Sequence, residues 1–548
     1  MTAGDRSTAP GALGPAARAG SASGRGSGPE VAGARVPRRV AWAAGVAAVT
    51  VALYFCYYRQ SWTAMVGSDA GSIALQAWDM LHGHVMLHGW TMSDVSFWST
   101  ELPQYVLLEA LFGLGPGVIH IGGAMTYTLL VLLAALLARG RAAGREGLIR
   151  ALIAAAIMLA PAVNDATATL LLTPDHLGSA VPVLLAWLLV ECLPARWYVP
   201  VAAAIILAWG QVADSLVVVT GAVPMLIVGL TRAGQKLWHR EPGTFPWREV
   251  SLAAAAAASF GIAHGAEAII RVSGGYVLRP VSTSPAGWSA IPGHLEVMAQ
   301  GLMTIFGAAF FHGESGVGLF SSVLHVIGLT AAAAALGLAL WRLGRARELA
   351  EPALGLAILL NLAVYVPSPY VEDLLSTREI SGVLPFAAVL AGRLLAGPLL
   401  RARLVPALAA YLIACTVVLG YHASLPAAPP KNASLAAWLA AAHLRSGLSA
   451  DYWVANSTTL DTGGRVTVRQ ISVNQGTLIH PIGWGFKRSW YDPQTQQAQF
   501  IVTSDVSSAD WAGVKNVAIK TYGPPARTIQ DGNLQALVWN TNLLAGLR

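Results

Sequence analysis

Eleven stretches of this chain are apolar over roughly 14 to 22 residues each, and that feature decides most of what it can fold into. A helix of about 20 residues crosses a hydrocarbon core about 30 Å thick. Lipid offers the backbone no hydrogen-bond partner, so a segment within it must satisfy its own amides and carbonyls. Charged residues make up only 11% of the chain, against about 25% in a soluble domain. The expectation is a polytopic α-helical membrane protein of about eleven spans. They are read at 40–57, 118–138, 148–163, 177–193, 198–212, 216–230, 250–270, 320–341, 353–366, 380–395 and 404–421.

The basic residues fix a direction. Arg38 and Arg39 precede the first run, and Arg139, Arg141 and Arg145 follow the second. Arg232, Lys236 and Arg248 lie between the sixth and seventh, Arg342 and Arg345 follow the eighth, and Arg401 and Arg403 follow the tenth. All fall on the side of the N-terminus, which the positive-inside rule makes the cytoplasm. Between residues 61 and 117 there is no Lys or Arg, yet Asp69, Asp79, Asp94, Glu101 and Glu109 are there. The formal net charge of +7 therefore reflects topology, and no nucleic-acid partner is inferred from it. The expected location is the plasma membrane, with an odd number of spans leaving the C-terminus extracytoplasmic.

Residues 1–38 are rich in Gly, Ala, Ser and Pro with scattered Arg. They cannot bury enough apolar surface to order themselves and read as a disordered cytoplasmic tail. The transmembrane region is 39–422. Residues 430–548 read as a small extracytoplasmic α/β or α+β domain. A helix is expected over 432–444, and strands over 465–473, 499–505, 516–523 and 534–539, with turn signals at Thr462-Gly463-Gly464 and Asp531-Gly532-Asn533.

Several chemistries leave no trace. There is no Gly-rich phosphate loop ending in Gly-Lys-Ser/Thr, no HExxH, no CxxC and no GxSxG. The cluster His82, His84 and His88 on a glycine-broken segment fixes no tetrahedral geometry, and no metal or other cofactor is assigned. A transporter or flippase of a lipid-linked substrate is the alternative to an enzyme. It predicts a continuous polar path through the spans, of which the sequence gives little sign.

The first long loop carries the chemistry-bearing residues. From Ser68 the pattern is helical, with Ser68 as cap and Asp69 in the first turn at the positive dipole end. Asp69, Ser72, Gln76 and Asp79 share one face, and Ile73, Ala74, Ala77, Trp78 and Leu81 share the other. That is the pattern of an amphipathic helix on a membrane surface. Asp69 is either a helix-start residue or a catalytic carboxylate that takes a proton from an acceptor hydroxyl. Glu101 and Asp94 are further carboxylates of this loop with the same potential.

A first span, a long acidic loop opening with Asp69 and an amphipathic helix ending in a Gly-containing turn resemble the GT-C glycosyltransferases, in particular the protein O-mannosyltransferases and aminoarabinose transferases. The stretches YWVANSTTLDTGGRVTVR and SWYDP resemble the tails of bacterial members. The family's acidic motif is commonly Asp-Glu; here Ala70-Gly71 follows Ser68-Asp69, so only the Asp carries over. The resemblance implies an inverting glycosyltransferase that moves a sugar from a polyprenyl-phosphate donor to a hydroxyl of an exported or cell-envelope glycan, lipid or protein. It implies Asp69 as catalytic residue and Arg378 as a contact of the donor phosphate, guanidinium being matched to phosphate; Glu101 of the same loop joins Asp69 as a catalytic candidate, and Arg279 in the second long loop joins Arg378 as a phosphate candidate. His176 and Asp94 are then candidates for substrate binding.

Overall fold

The structure is a computed structural model that describes residues 38–172, 176–239, 245–280, 284–310, 316–343, 345–346, 348–430, 432–474, 476–479, 483–504 and 513–547. The expected tail at 1–38 lies outside the described residues, except that Arg38 opens the first helix. The chain divides into two compact units, Met1–Val49 and Thr50–Arg548. Of the described elements the first unit holds only the opening turns of the first helix, and the second holds all the others.

Every one of the eleven apolar runs is helical. After α1 (Arg38–Ser61), the first long loop holds α2 (Ser68–Leu81), β1 (Trp90–Met92) and α3 (Glu101–Phe112). Then come α4 (Pro116–Arg139), α5 (Gly144–Met158), α6 (Asp165–Leu171), α7 (Ala180–Cys192), α8 (Tyr198–Ala213), α9 (Val223–Trp238) and α10 (Trp247–Val272). A second long loop with β2 (Val277–Leu278) and α11 (Ile291–Ile305) precedes α12 (Val317–Trp341), α13 (Ala350–Tyr365), α14 (Val383–Arg401) and α15 (Val405–Ser424). Among the described residues seven helices are long and apolar enough to cross a membrane, and α6 with the 176–192 segment, bent by 51°, would add an eighth. The runs at 148–163, 198–212 and 353–366 form shorter helices than a straight span needs. Pro161 explains the first: the residue before a proline is pushed out of the helical region, and α5 stops at Met158.

The helices pack through small residues. A Cβ added at Gly392 of α14 would collide with the Arg150 carbonyl of α5, and one at Gly123 of α4 with the Leu171 carbonyl. Close backbone approach of this kind is how helices associate where lipid supplies no hydrophobic drive. At the basic side Arg393, fully buried, donates from Nε and Nη2 to the Leu137 carbonyl at 3.0 and 2.7 Å and from Nη1 to Glu348 at 2.7 Å. Glu191 accepts from the amides of Leu349 and Ala350, at 3.0 and 3.2 Å, which satisfies the start of α13.

The C-terminal region is built on a five-stranded mixed sheet, ordered β4-β3-β8-β10-β9. Here α16 (Ala433–Ala441), β3 (Ser446–Ser449), α17 (Tyr452–Asp461) and β4 (Thr467–Gln470) form a parallel crossover. The hairpin β5 (Ser472–Asn474) and β6 (Thr477–Ile479) and the short β7 (Phe486–Lys487) follow, then β8 (Phe500–Ser504), α18 (Val514–Tyr522), β9 (Arg527–Asp531) and β10 (Leu534–Val538). Alternation gives the sheet two apolar faces. Phe500, Val502, Ala536 and Val538 pack with α16 and α17, while Ile501 and Leu537 pack with Val514 and Ala518 of α18. The segment 516–523, expected as a strand, is therefore a helix: Val514 and Ala518 stand one turn apart on the buried side.

Three distant segments are stitched together beside this sheet. β1 pairs in parallel with β2 and antiparallel with β7, uniting both long loops with the C-terminal region. The helix α2 is not a surface helix, as its pattern suggests. Ser68, Ser72 and Gln76 on its polar face are as buried as Ile73, Ala74 and Ala77: Ser68 meets Ser457 of α17, and Ser72 lies against Gly485 of the C-terminal region. Gly71 makes this possible: an added Cβ would stand 3.2 Å from the Asn456 carbonyl. Asp79 pins the far end, accepting from Lys487 Nζ at 2.9 Å and from Trp90 Nε1 at 2.8 Å.

Gly392→Leu is expected to lower stability by about 2 kcal/mol or more through overpacking. Gly420→Ala, inside α15 with open space around it, should not lower the melting temperature in detergent.

Candidate active site

The stitching leaves a cavity of about 620 Å³ between α2, the two long loops, the turn before α14 and the C-terminal region. Asp69 stands in its wall from the first turn of α2. The helix is preceded by Gly67, and Ser68 makes no capping hydrogen bond, contrary to expectation; its hydroxyl meets that of Ser457 at 3.4 Å instead. The carboxylate of Asp69 is held by groups more than 300 residues away in sequence. Arg378 Nη1 donates to Oδ2 at 2.8 Å, and the hydroxyl of Tyr452 donates to Oδ1. Burial, reinforced by the Asp69 charge, raises the phenol of Tyr452 well above its ordinary range, so it remains a donor.

The other positions are set locally. Arg378 lies in a 3₁₀ turn, Leu374–Ile380, whose start is capped by the Asp373 side chain accepting from the Leu375 amide at 2.8 Å. Arg279 directly follows β2, and its amide donates to the carbonyls of Met92 and Ser93 at 3.2 and 3.0 Å. Its guanidinium sits over the Trp484 ring, 4.9 Å from the centroid, a cation–π contact. Asp94 and His176 line the same cavity. Five of the six side chains singled out from the sequence are thus gathered round one hollow.

Glu101 is the exception. It is buried behind the hollow and is not among the residues that line it. A Cβ on Gly178 would strike its carboxylate, which places it against the His176–Ser179 turn. Thr100 donates to Oε2, and Oε1 has no partner among the described residues. Burial pushes its carboxyl up to about 7, with the Asp214 charge adding to the rise.

Asp214, Glu379, Tyr452 and Trp484 do not stand out in the sequence. Asp214 accepts from His176 Nδ1 at 2.8 Å, from the Ser179 hydroxyl and from the Leu216 amide at 2.8 Å. Its burial alone would raise its pKa, but the His176 charge and these donors outweigh that and hold it low. Glu379 lines the cavity, and burial raises its carboxyl. The stretch YWVANSTTLD holds Tyr452, but nothing local tells that its hydroxyl meets Asp69. Among the described residues no group of three or more His, Cys, Asp or Glu is arranged to hold a metal ion. His82, His84 and His88 make separate contacts with the Trp78 carbonyl, Asp79 and the Ser273 carbonyl.

In sequence, no protein-family profile and no curated protein matches the chain. In structure, it is similar to ArnT from Cupriavidus metallidurans, solved bound to undecaprenyl phosphate. The TM-score is 0.54 at 14% identity, over 93% of this chain and all of that one. The chain shares the fold of that protein. A looser likeness is to the archaeal oligosaccharyltransferase AglB from Archaeoglobus fulgidus, solved with an inhibitory peptide and a dolichol phosphate. It has TM-score 0.45 and 11% identity, over 88% of this chain and 71% of that one. The seven long apolar helices among the described residues make the chain a multi-pass membrane protein. The cavity holds the Asp69 carboxylate beside the Arg378 and Arg279 guanidinium groups, in a volume typical of small-molecule sites.

The buried Glu101 gives a pH test. Unfolded, its carboxyl ionises near the ordinary 4.5; folded, near 7. Between those values only the native state keeps the proton, so stability falls as pH rises from about 4.5 to about 7 and then levels off. Glu101→Gln removes that loss. Relative to the unsubstituted protein it should gain up to about 3 kcal/mol as pH is raised through the window, read from melting curves in detergent. A difference independent of pH contradicts the burial.

Proposed function

We propose that the protein transfers a sugar from a polyprenyl-phosphate donor to a hydroxyl of an exported or cell-envelope acceptor, by a single inverting displacement. The acceptor oxygen attacks the anomeric carbon, and Asp69 takes the hydroxyl proton as general base. The bond from that carbon to the phosphate oxygen breaks, and the phosphate monoester departs with its charge met by Arg378 and Arg279. Arg378 pairs with Asp69, so a donor phosphate competes for the guanidinium and leaves an oxygen of Asp69 open to the acceptor. His176 and Asp94 bind substrate from the same wall.

One observation carries this reading. Asp69 and Arg378, 309 residues apart, meet at 2.8 Å in the wall of a cavity that Arg279 also lines. The likeness to a protein solved with undecaprenyl phosphate supports the class of donor. The placement of Lys and Arg along the chain supports a cytoplasmic N-terminus and an active site on the extracytoplasmic face.

The test is sugar transfer from a polyprenyl-phosphate donor in membranes holding matched amounts of each variant. Asp69→Asn is expected to lower turnover roughly 10²- to 10⁴-fold. Arg378→Ala should lower it by at least roughly 10²-fold. Turnover unchanged in both contradicts the mechanism.

A further inference from the structure

A second hollow lies away from the site. It is a groove of about 850 Å³ between α8 and α10. Its walls are Val201, Ala204 and Ile205 of α8 and Ala255, Ala258 and Ile262 of α10. The small side chains open the space, and the branched ones make it apolar. Ser251, also in the lining, spends its hydroxyl on the Arg248 carbonyl of its own helix at 2.9 Å. From Trp247 to Ile262 the groove follows about 22 Å of helix axis, more than one leaflet of a hydrocarbon core about 30 Å thick.

The rim has a different chemistry. Arg196 and Arg248 line it together with Trp197 and Trp247, which are 80% and 71% exposed. Exposed tryptophans of this kind sit at the level of lipid headgroups. Arg248 donates to the Val190 carbonyl at 3.0 Å, at the end of α7. Among the described residues no partner holds the guanidinium of Arg196, and no carboxylate lines the groove. The rim therefore carries two positive charges above an apolar shaft. It is also remote from Asp69. The Ala213 carbonyl, at the far end of α8, accepts from the amide of Ser96, which lines the first cavity. The length of α8, about 24 Å, separates that end from the rim.

We infer that this groove binds an anionic phospholipid, with its phosphate at Arg196 and Arg248 and one acyl chain laid between α8 and α10. The inference does not depend on the glycosyltransferase reading. The test is native mass spectrometry of the delipidated full-length protein, titrated with phosphatidylglycerol and with phosphatidylcholine of the same chains. Phosphatidylglycerol should bind at least tenfold more tightly. Arg196→Gln, at an exposed side chain, should weaken phosphatidylglycerol roughly fivefold, and Arg196→Gln with Arg248→Gln roughly 25-fold, with phosphatidylcholine unaffected. Ala258→Trp, which fills the shaft, should weaken both lipids. Equal affinity for the two lipids, a preference that survives loss of both arginines, or displacement of phosphatidylglycerol by equimolar undecaprenyl phosphate overturns the proposal.

Discussion

The carboxylate of Asp69 receives a guanidinium from the turn before α14 and a phenol from α17. Each partner arrives from a different part of the chain, and each needs its own support. Arg378 depends on a 3₁₀ turn capped by Asp373. Tyr452 depends on α17 lying close against α2, which the missing side chain of Gly71 permits. The three-stranded union of β1, β2 and β7 brings in Arg279 and Trp484 by the same route. The cavity therefore exists only where four segments meet.

Other carboxylates near the cavity are taken up by neighbours of their own. Asp79, one turn along α2 from Gln76, is taken up by Lys487 and Trp90 and does not line the hollow. Asp214 is satisfied by His176, Ser179 and a backbone amide. That orients the imidazole toward the cavity by fixing the ring from behind, in the way a buried carboxylate commonly orients a histidine. At the basic side of the helices Arg393 and Glu191 do comparable work on helix ends, where unpaired carbonyls and amides would otherwise face an apolar core.

Much of this is legible in the residues. The apolar runs are covalently local signals, and all eleven are helices. Asp69 and Arg378 stand out because charge is scarce in such a chain and each lies beside a span on the sparsely basic side. Two kinds of information are hidden. The polar face of α2 reads as solvent-facing because periodicity shows that a face is polar and not what encloses it; Ser72 and Gln76 line a cavity walled in part by the C-terminal region. The segment 516–523 reads as a strand because a Val-Ala-Ile triplet fits both periods, and only the packing of Val514 and Ala518 against Leu537 decides for helix. Glu101 groups with Asp69 as an acid of the same loop, yet α3 turns it behind the cavity wall. No local pattern connects Tyr452 with Asp69.

Whether Arg378 and Asp69 form a donor site is decided by an experimental structure of the protein with undecaprenyl phosphate. The phosphate should lie within about 3 Å of the Arg378 guanidinium, in the hollow that Asp69 lines, with the isoprenoid tail leaving between helices. A phosphate bound elsewhere, with Arg378 still paired to Asp69, would contradict that site.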